Sequence, residues 1–187
     1  MKYGIALASE VDSWRWVLRA EELGFSTAWF YDTQLLNPDL FVCMTLAAHH
    51  TSKIRLGTGV LVPSNRIEPV TANALASLNK LAPGRIDFGV GTGFTARRTM
   101  GLPAMTLANT RAYIERVRTL LQGGIAEWDF EGVHRKIRFL NPDLGLINID
   151  DPIPLWLSAF GPKSQQLVAD LGAGWINFSS GSAAIKG

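Results

Sequence analysis

The stretch IRLGTGVLVPSNRIEPVTANALASLNKLAPGRIDFGVGTG, residues 54–93, decides the fold. It opens on a strand, Ile54–Val62, whose apolar and β-branched residues are interrupted by Gly57 and Gly59. Glu68 and Pro69 then start a helix, with Val70, Ala74, Leu78 and Leu81 at helical spacing. A second strand, Arg85–Gly91, follows after a short turn. Strand, helix and strand joined by short loops form a unit that feeds a parallel sheet.

The same alternation extends both ways. Towards the N-terminus, Tyr3–Ala8 is a short apolar strand. Trp16, Val17, Ala20 and Leu23 form a helical face that stops at Gly24. Thr27–Tyr31 is a β-branched and aromatic strand. Asn37 as N-cap and Pro38 as first residue predict a helix carrying Leu40, Cys43, Met44 and Ala47. Towards the C-terminus, Ile114, Val117, Leu120 and Leu121 mark a helix ended by Gly123–Gly124. Ile125–Phe139 reads as a hairpin turned at Glu131–Gly132, and Pro154–Ala159 as a strand. A helix over Pro162–Leu171, closed by Gly172, and a strand over Trp175–Ser179 complete the pattern.

The fold class is therefore α/β with a parallel sheet. An open doubly wound sheet and a closed (β/α)₈ barrel both fit. A barrel needs eight strands and about 250 residues. Here 187 residues carry six, and the tail Gly181–Gly187 has no strand or helix pattern. A barrel would be truncated after about strand six. No linker divides the chain, so residues 1–187 are expected to be a single, partial domain.

Composition removes several functions. With 47% hydrophobic and 18% charged residues, the chain is neither disordered nor a coiled coil. Eighteen Lys and Arg against 16 Asp and Glu leave a net charge of +2. No basic run exceeds two residues, so no nucleic-acid partner is expected. No apolar stretch is long enough to span a membrane. The single Cys43 excludes an internal disulfide and a cysteine zinc site, and no metal is expected. The apolar run at Tyr3–Ala8 is too short for a signal peptide and reads as the first strand of a cytoplasmic protein.

Ligands of parallel α/β folds sit at the carboxyl ends of the strands. Those ends are Ala8–Ser9, Asp32–Gln34, Val60–Arg66, Gly91–Arg98, Ala159–Ser164 and Ser179–Ser182. They contain no His and no close pair of carboxylates, but many glycines, hydroxyls and arginines. That inventory suits binding a polar anion more than hydrolysing a bond. A cofactor that brings its own reactivity would resolve the mismatch. Gly91 and Gly93 allow a ring or phosphate to approach the backbone, with Arg97 and Arg98 nearby; tight strand exit is the plainer alternative. The turn into the helix at Gly161–Pro162, with Lys163 and Ser164, offers free N–H groups to a phosphate or is simply a capped helix. Gly57 and Gly59 suggest a bulge or a close ligand approach. Asp32 is the well-placed carboxylate, either orienting a ligand or capping a loop. His49, His50 and His134 read as surface residues, and the strand tryptophans Trp29, Trp156 and Trp175 as core or sheet-to-helix packing.

The ordered set of motifs resembles the bacterial luciferase-like flavin monooxygenases and their F420-dependent relatives. It comprises residues 20–32 (AEELGFSTAWFYD), 54–93, 117–124 (VRTLLQGG), the hairpin FEGVHRKIRFLNP at 130–142, and IPLWLSAFGPKSQQLVADLGAGWI at 153–176. The resemblance covers nearly the whole chain. It implies a luciferase-like TIM barrel with a reduced flavin or deazaflavin, FMN or coenzyme F420, at its carboxyl-end mouth. The loop after strand four, against the ring and phosphate, carries onto Thr92, Gly93 and Phe94. The phosphate turn after strand five carries onto Phe160, Gly161 and Ser164. The strand-three bulge, often with a non-proline cis peptide, carries onto Gly59, Val60 and Leu61. Where luciferase has a catalytic His after strand two, this chain has Thr33, beside Asp32. Both are candidate catalytic positions, and light-emitting chemistry on a long-chain aldehyde is not expected. Thr92 stands where luciferase has a phosphate-binding Arg, which leaves F420 open. The implied function is oxidation of a small organic substrate by reduced FMN and O₂. The alternatives are F420-dependent hydride transfer, or a non-catalytic barrel remnant that self-associates. Self-association into a homo-oligomer would cover the open seam of the barrel.

Overall fold

The structure is a computed structural model and describes residues 2–177. Its centre is a six-stranded, all-parallel sheet. The strands are β1 (Gly4–Leu7), β2 (Thr27–Phe30), β3 (Arg55–Thr58), β4 (Ile86–Val90), β7 (Leu155–Ser158) and β8 (Gly174–Ile176), side by side in that order. The helices between them are α1 (Trp14–Glu22), α2 (Leu40–His50), α3 (Glu68–Leu81), α4 (Phe94–Arg98), α5 (Leu107–Leu121) and α6 (Pro162–Leu171). An antiparallel hairpin, β5 (Ala126–Phe130) and β6 (Val133–Ile137), lies between α5 and β7 and turns at Glu131–Gly132.

Alternation along each strand sorts the side chains. Ala28, Phe30, Leu56, Ile86, Phe88, Val90, Leu155 and Leu157 turn outward and are buried beneath the helices with Leu40, Met44, Leu75, Ile114 and Val117. Each large apolar side chain so buried contributes about 1.5–3 kcal/mol of transfer free energy. The opposite face is concave. Gly4, Ala6, Trp29, Arg55, Asp87 and Trp156 line a trough of about 660 Å³ there.

Four local details differ from what the sequence pattern predicts. The N-cap of α2 is Asp39, whose carboxylate accepts Phe41 N–H at 2.8 Å; Asn37 instead donates to Ser9 O at 3.3 Å. Strand β3 stops at Thr58 and not at Val62; the Gly59–Val60 peptide that follows is cis, as the resemblance implies. After it the chain rejoins β4 through Leu61 N–H to Gly89 O (2.8 Å) and Gly91 N–H to Leu61 O (3.1 Å). A short helix, α4, begins immediately after Gly93, a helix that the sequence pattern does not announce. Trp29 and Trp156 face the trough and not the helices. The expected strand end at Ser179, its loop Ser179–Ser182 and the tail lie outside the described residues.

Candidate functional site at the strand exits

Three strand exits meet at one recess. Tyr31, Asp32 and Thr33 enter from the end of β2, Gly59, Val60 and Val62 from β3, and Gly93, Phe94, Thr95 and Ala96 from β4. The recess measures about 170 Å³ and opens to one side, so it takes a face of a ring and not a whole cofactor. Its sides are apolar (Val60, Val62, Phe94, Ala96), and its rim carries the hydroxyls of Thr33 and Thr95.

Asp32 is buried, at 7% exposure. Its Oδ2 accepts the Val62 N–H at 2.9 Å, and its Oδ1 lies 3.5 Å from Arg66 Nη1. The loop-capping alternative thus describes its contacts. Burial pushes its carboxyl up, opposed by the Val62 N–H and by Arg66. Arg66 also pairs with Asp39 and lies over the Phe41 ring, 4.9 Å from its centroid. Its backbone carbonyl accepts the Tyr113 hydroxyl at 3.0 Å. Gln34 ties the loops together: its Nε2 donates to Ala96 O at 2.5 Å, and its Oε1 accepts Asn65 Nδ2 at 2.7 Å.

Gly93 is held in the left-handed region at φ 75°, where a side chain would be strained, and a Cβ there would meet Val62 Cγ1 at 2.5 Å. Phe94 is 57% exposed, and the Arg98 guanidinium sits 3.9 Å from its ring centroid. Arg97 donates to Pro103 O at 2.5 Å.

Of the expected site residues, the recess gathers Asp32, Thr33, Gly59, Val60, Gly93 and Phe94. Leu61 departs from the expectation: its side chain is fully buried in the core, because the chain has already rejoined β4. Thr92 does not line the recess, and its carbonyl accepts Met105 N–H at 2.9 Å. Phe160, Gly161 and Ser164 form a separate corner at the exit of β7. There Ser164 Oγ donates to Gly161 O at 2.8 Å and accepts Gly161 N–H at 3.2 Å, which closes the start of α6. Among the described residues, a Cβ on Gly161 would meet no atom within 4 Å. Tyr31 lies just before the expected strand end, while Gln34, Val62, Thr95 and Ala96 lie inside the expected ends without being singled out. Their signal was position alone, close to the strand ends.

His49 and His50 are exposed at the end of α2, and His134 pairs with Asp129 at 2.8 Å on the surface. Among the described residues, no group of three or more His, Cys, Asp or Glu is placed to hold a metal ion, and no helix is long and apolar enough to cross a membrane.

The luciferase-like monooxygenase family profile matches residues 11–186. The chain belongs to this family. Its relatives include the 5,10-methylenetetrahydromethanopterin reductase of Archaeoglobus fulgidus, 31% identical over 93% of this chain and 52% of that protein. Another is the F420-dependent glucose-6-phosphate dehydrogenase of Kineococcus radiotolerans, 30% identical over 85% of this chain and 50% of that protein. Among solved structures, the coenzyme F420-dependent tetrahydromethanopterin reductase of Methanopyrus kandleri superposes with a TM-score of 0.79. It is 27% identical and covers 94% of this chain and 55% of that one. The oxygenating constituent of 3,6-diketocamphane monooxygenase from Pseudomonas putida, in complex with FMN, shares the fold at a TM-score of 0.77. It is 14% identical and covers 100% of this chain and 60% of that one. The chain thus spans about half the length of these relatives. Its parallel sheet is the luciferase-like half-barrel of six strands.

Proposed function

We propose that this chain forms the cofactor-holding part of an oxidoreductase, with the ring of coenzyme F420 against the recess at the ends of β2, β3 and β4. One observation carries the reading. Among the described residues, Asp32 is the only carboxylate that lines the recess, and Val62 and Arg66 already engage it, so this recess offers no unengaged carboxylate to act as an acid or base. The reactivity must then arrive with a bound group.

The residues fit such a group. Val60, Val62 and Ala96 offer an apolar wall to a flat ring, and Thr33 and Thr95 offer hydroxyls at its edge. The empty space beside Gly161, at the start of α6, leaves room for a phosphate near the helix N-terminus. Bound F420 would supply direct hydride transfer to or from a small organic substrate. The chain's own groups position the ring and exclude water, while Asp32 holds the β3 exit in shape. F420 is favoured over FMN because the relatives at 30% identity or more are F420-dependent by name, or act on the same pterin as an F420-dependent structural neighbour. Oxygen transfer with FMN and O₂ draws on fold likeness alone. The protein is read as cytoplasmic and as one domain.

Titration with F420 and with FMN, following cofactor fluorescence, tests this. Saturable one-to-one binding of F420 in preference to FMN is expected, and preference for FMN would restore the oxygenase reading. A second reading, self-association without catalysis, is favoured by the open trough, since among the described residues β1 and β8 have no partner on their outer edges. Homogeneous oligomers with no affinity for either cofactor would support it.

A further inference from the structure

Asp32 closes one wall of the recess, yet little of it reaches water. A buried carboxylate persists as an anion only beside a counter-charge and hydrogen-bond donors. Here the counter-charge is Arg66, behind the recess. Arg66 is itself fixed from three sides: by Asp39 at the start of α2, by the face of Phe41, and by Tyr113 of α5 through its own carbonyl. Its Nη1 is buried and lies 3.5 Å from Asp32 Oδ1, within reach of an ion pair.

We propose that Arg66 is a positioning residue for the recess: it holds Asp32 ionised, so that Asp32 keeps its grip on the Val62 N–H and the turn from Gly59 to Val62 keeps its place against the ligand. The proposal rests on the reading of this recess as the cofactor site. An ionised acceptor binds an N–H roughly twice as strongly as a neutral one. Without Arg66, burial drives proton uptake by Asp32 as pH falls, and the grip weakens. The charged and titratable groups around Asp32 are Arg66 from the β3–α3 loop and Tyr113 from α5; Asp39 of α2 faces Arg66, and Glu68 of α3 acts on Tyr113. The Tyr113 hydroxyl, pushed well above the ordinary phenol range chiefly by burial, stays neutral throughout the range tested.

The test compares the wild type with Arg66→Met and Arg66→Lys between about pH 5 and about pH 8. The first readout needs no ligand: hydrogen exchange of the Val62 amide, corrected for intrinsic pH dependence. Protection is expected to fall towards acid about tenfold further, and from a higher pH, in Arg66→Met than in the wild type, and to be largely restored in Arg66→Lys. The second readout is the F420 dissociation constant, which is expected to follow the same profile. Equal protection in all three proteins overturns the proposal, as does a loss that is uniform with pH, because that is a merely structural effect. If the Val62 profile appears but no cofactor binds, the positioning role of Arg66 stands and the cofactor reading fails. If Arg66→Met does not fold, Arg66→Lys against Asp32→Asn decides. Asn cannot titrate, so its Val62 protection must be independent of pH.

Discussion

Trp29 and Trp156 meet edge to face inside the trough, their ring centroids 5.3 Å apart and their planes at 78°. Each ring occupies a slot left by a glycine on the adjacent strand. A Cβ on Gly57 would stand 2.4 Å from the Trp29 ring, and one on Gly174 would stand 2.2 Å from Trp156. Trp156 also donates its Nε1–H to Asp87 at 3.1 Å, and Asp87 pairs with Arg55 at 2.8 Å. Gly57→Ala and Gly174→Ala are each expected to cost about 1–3 kcal/mol through overpacking, measured by urea unfolding. Unchanged midpoints in both would mean that the rings are free to move aside.

Trp128 anchors the hairpin. Its Nε1–H donates to Glu68 at 2.9 Å, and Arg116 pairs with the other oxygen of the same buried carboxylate at 2.9 Å. Trp128→Phe keeps most of the apolar contact but leaves one buried oxygen short of a donor. A loss of about 1–3 kcal/mol is expected in thermal unfolding. Amides of β5 and β6 should exchange faster before the sheet does.

Glu21 sets part of the acid response. Burial raises its carboxyl, but the backbone N–H groups of Ile54, Lys53 and Ser52 outweigh this and hold it below the ordinary 4.5. A folded value below the unfolded one means stability that is present above 4.5 and lost as pH falls through the folded value. Glu21→Gln should therefore be less stable than the wild type near neutrality, with the difference shrinking on acidification. A difference that is constant with pH would show that the carboxylate charge contributes nothing.

The corner at Gly161 separates folding from binding. With no atom of the described residues near a Cβ there, Gly161→Trp should fold with unchanged helix content and a small stability change. Its bulk would fill the space assigned to the cofactor phosphate. F420 affinity should fall by at least about tenfold, or about 1.4 kcal/mol. Retained affinity would remove the phosphate from this corner.

The order of elements was legible because it rests on periodicity and punctuation. The helix Pro162–Leu171, its closure at Gly172 and the turn at Glu131–Gly132 are where the sequence places them. The candidate site was legible only in outline. Asp32, Thr33, Gly59, Val60, Gly93 and Phe94 converge, because strand ends are readable and parallel strands bring their ends together. What a sequence does not state is which face a residue takes after a strand breaks. Leu61 turned into the core for that reason. Gly57 proved to be room for an indole and not a ligand approach, because the demand comes from Trp29, 28 positions away in sequence and adjacent only in register. Asn37 lost the cap of α2 to Asp39 because Asn37 had a tertiary partner in Ser9.

The most direct test of the central claim is where the cofactor binds on the molecule. Amide resonances of the isotope-labelled chain should be followed during titration with F420. Shifts concentrated at Thr33, Val60, Val62, Gly93 and Thr95, extending to Gly161, are predicted. Shifts confined to the trough around Trp29 and Trp156, with the strand exits unmoved, would contradict it.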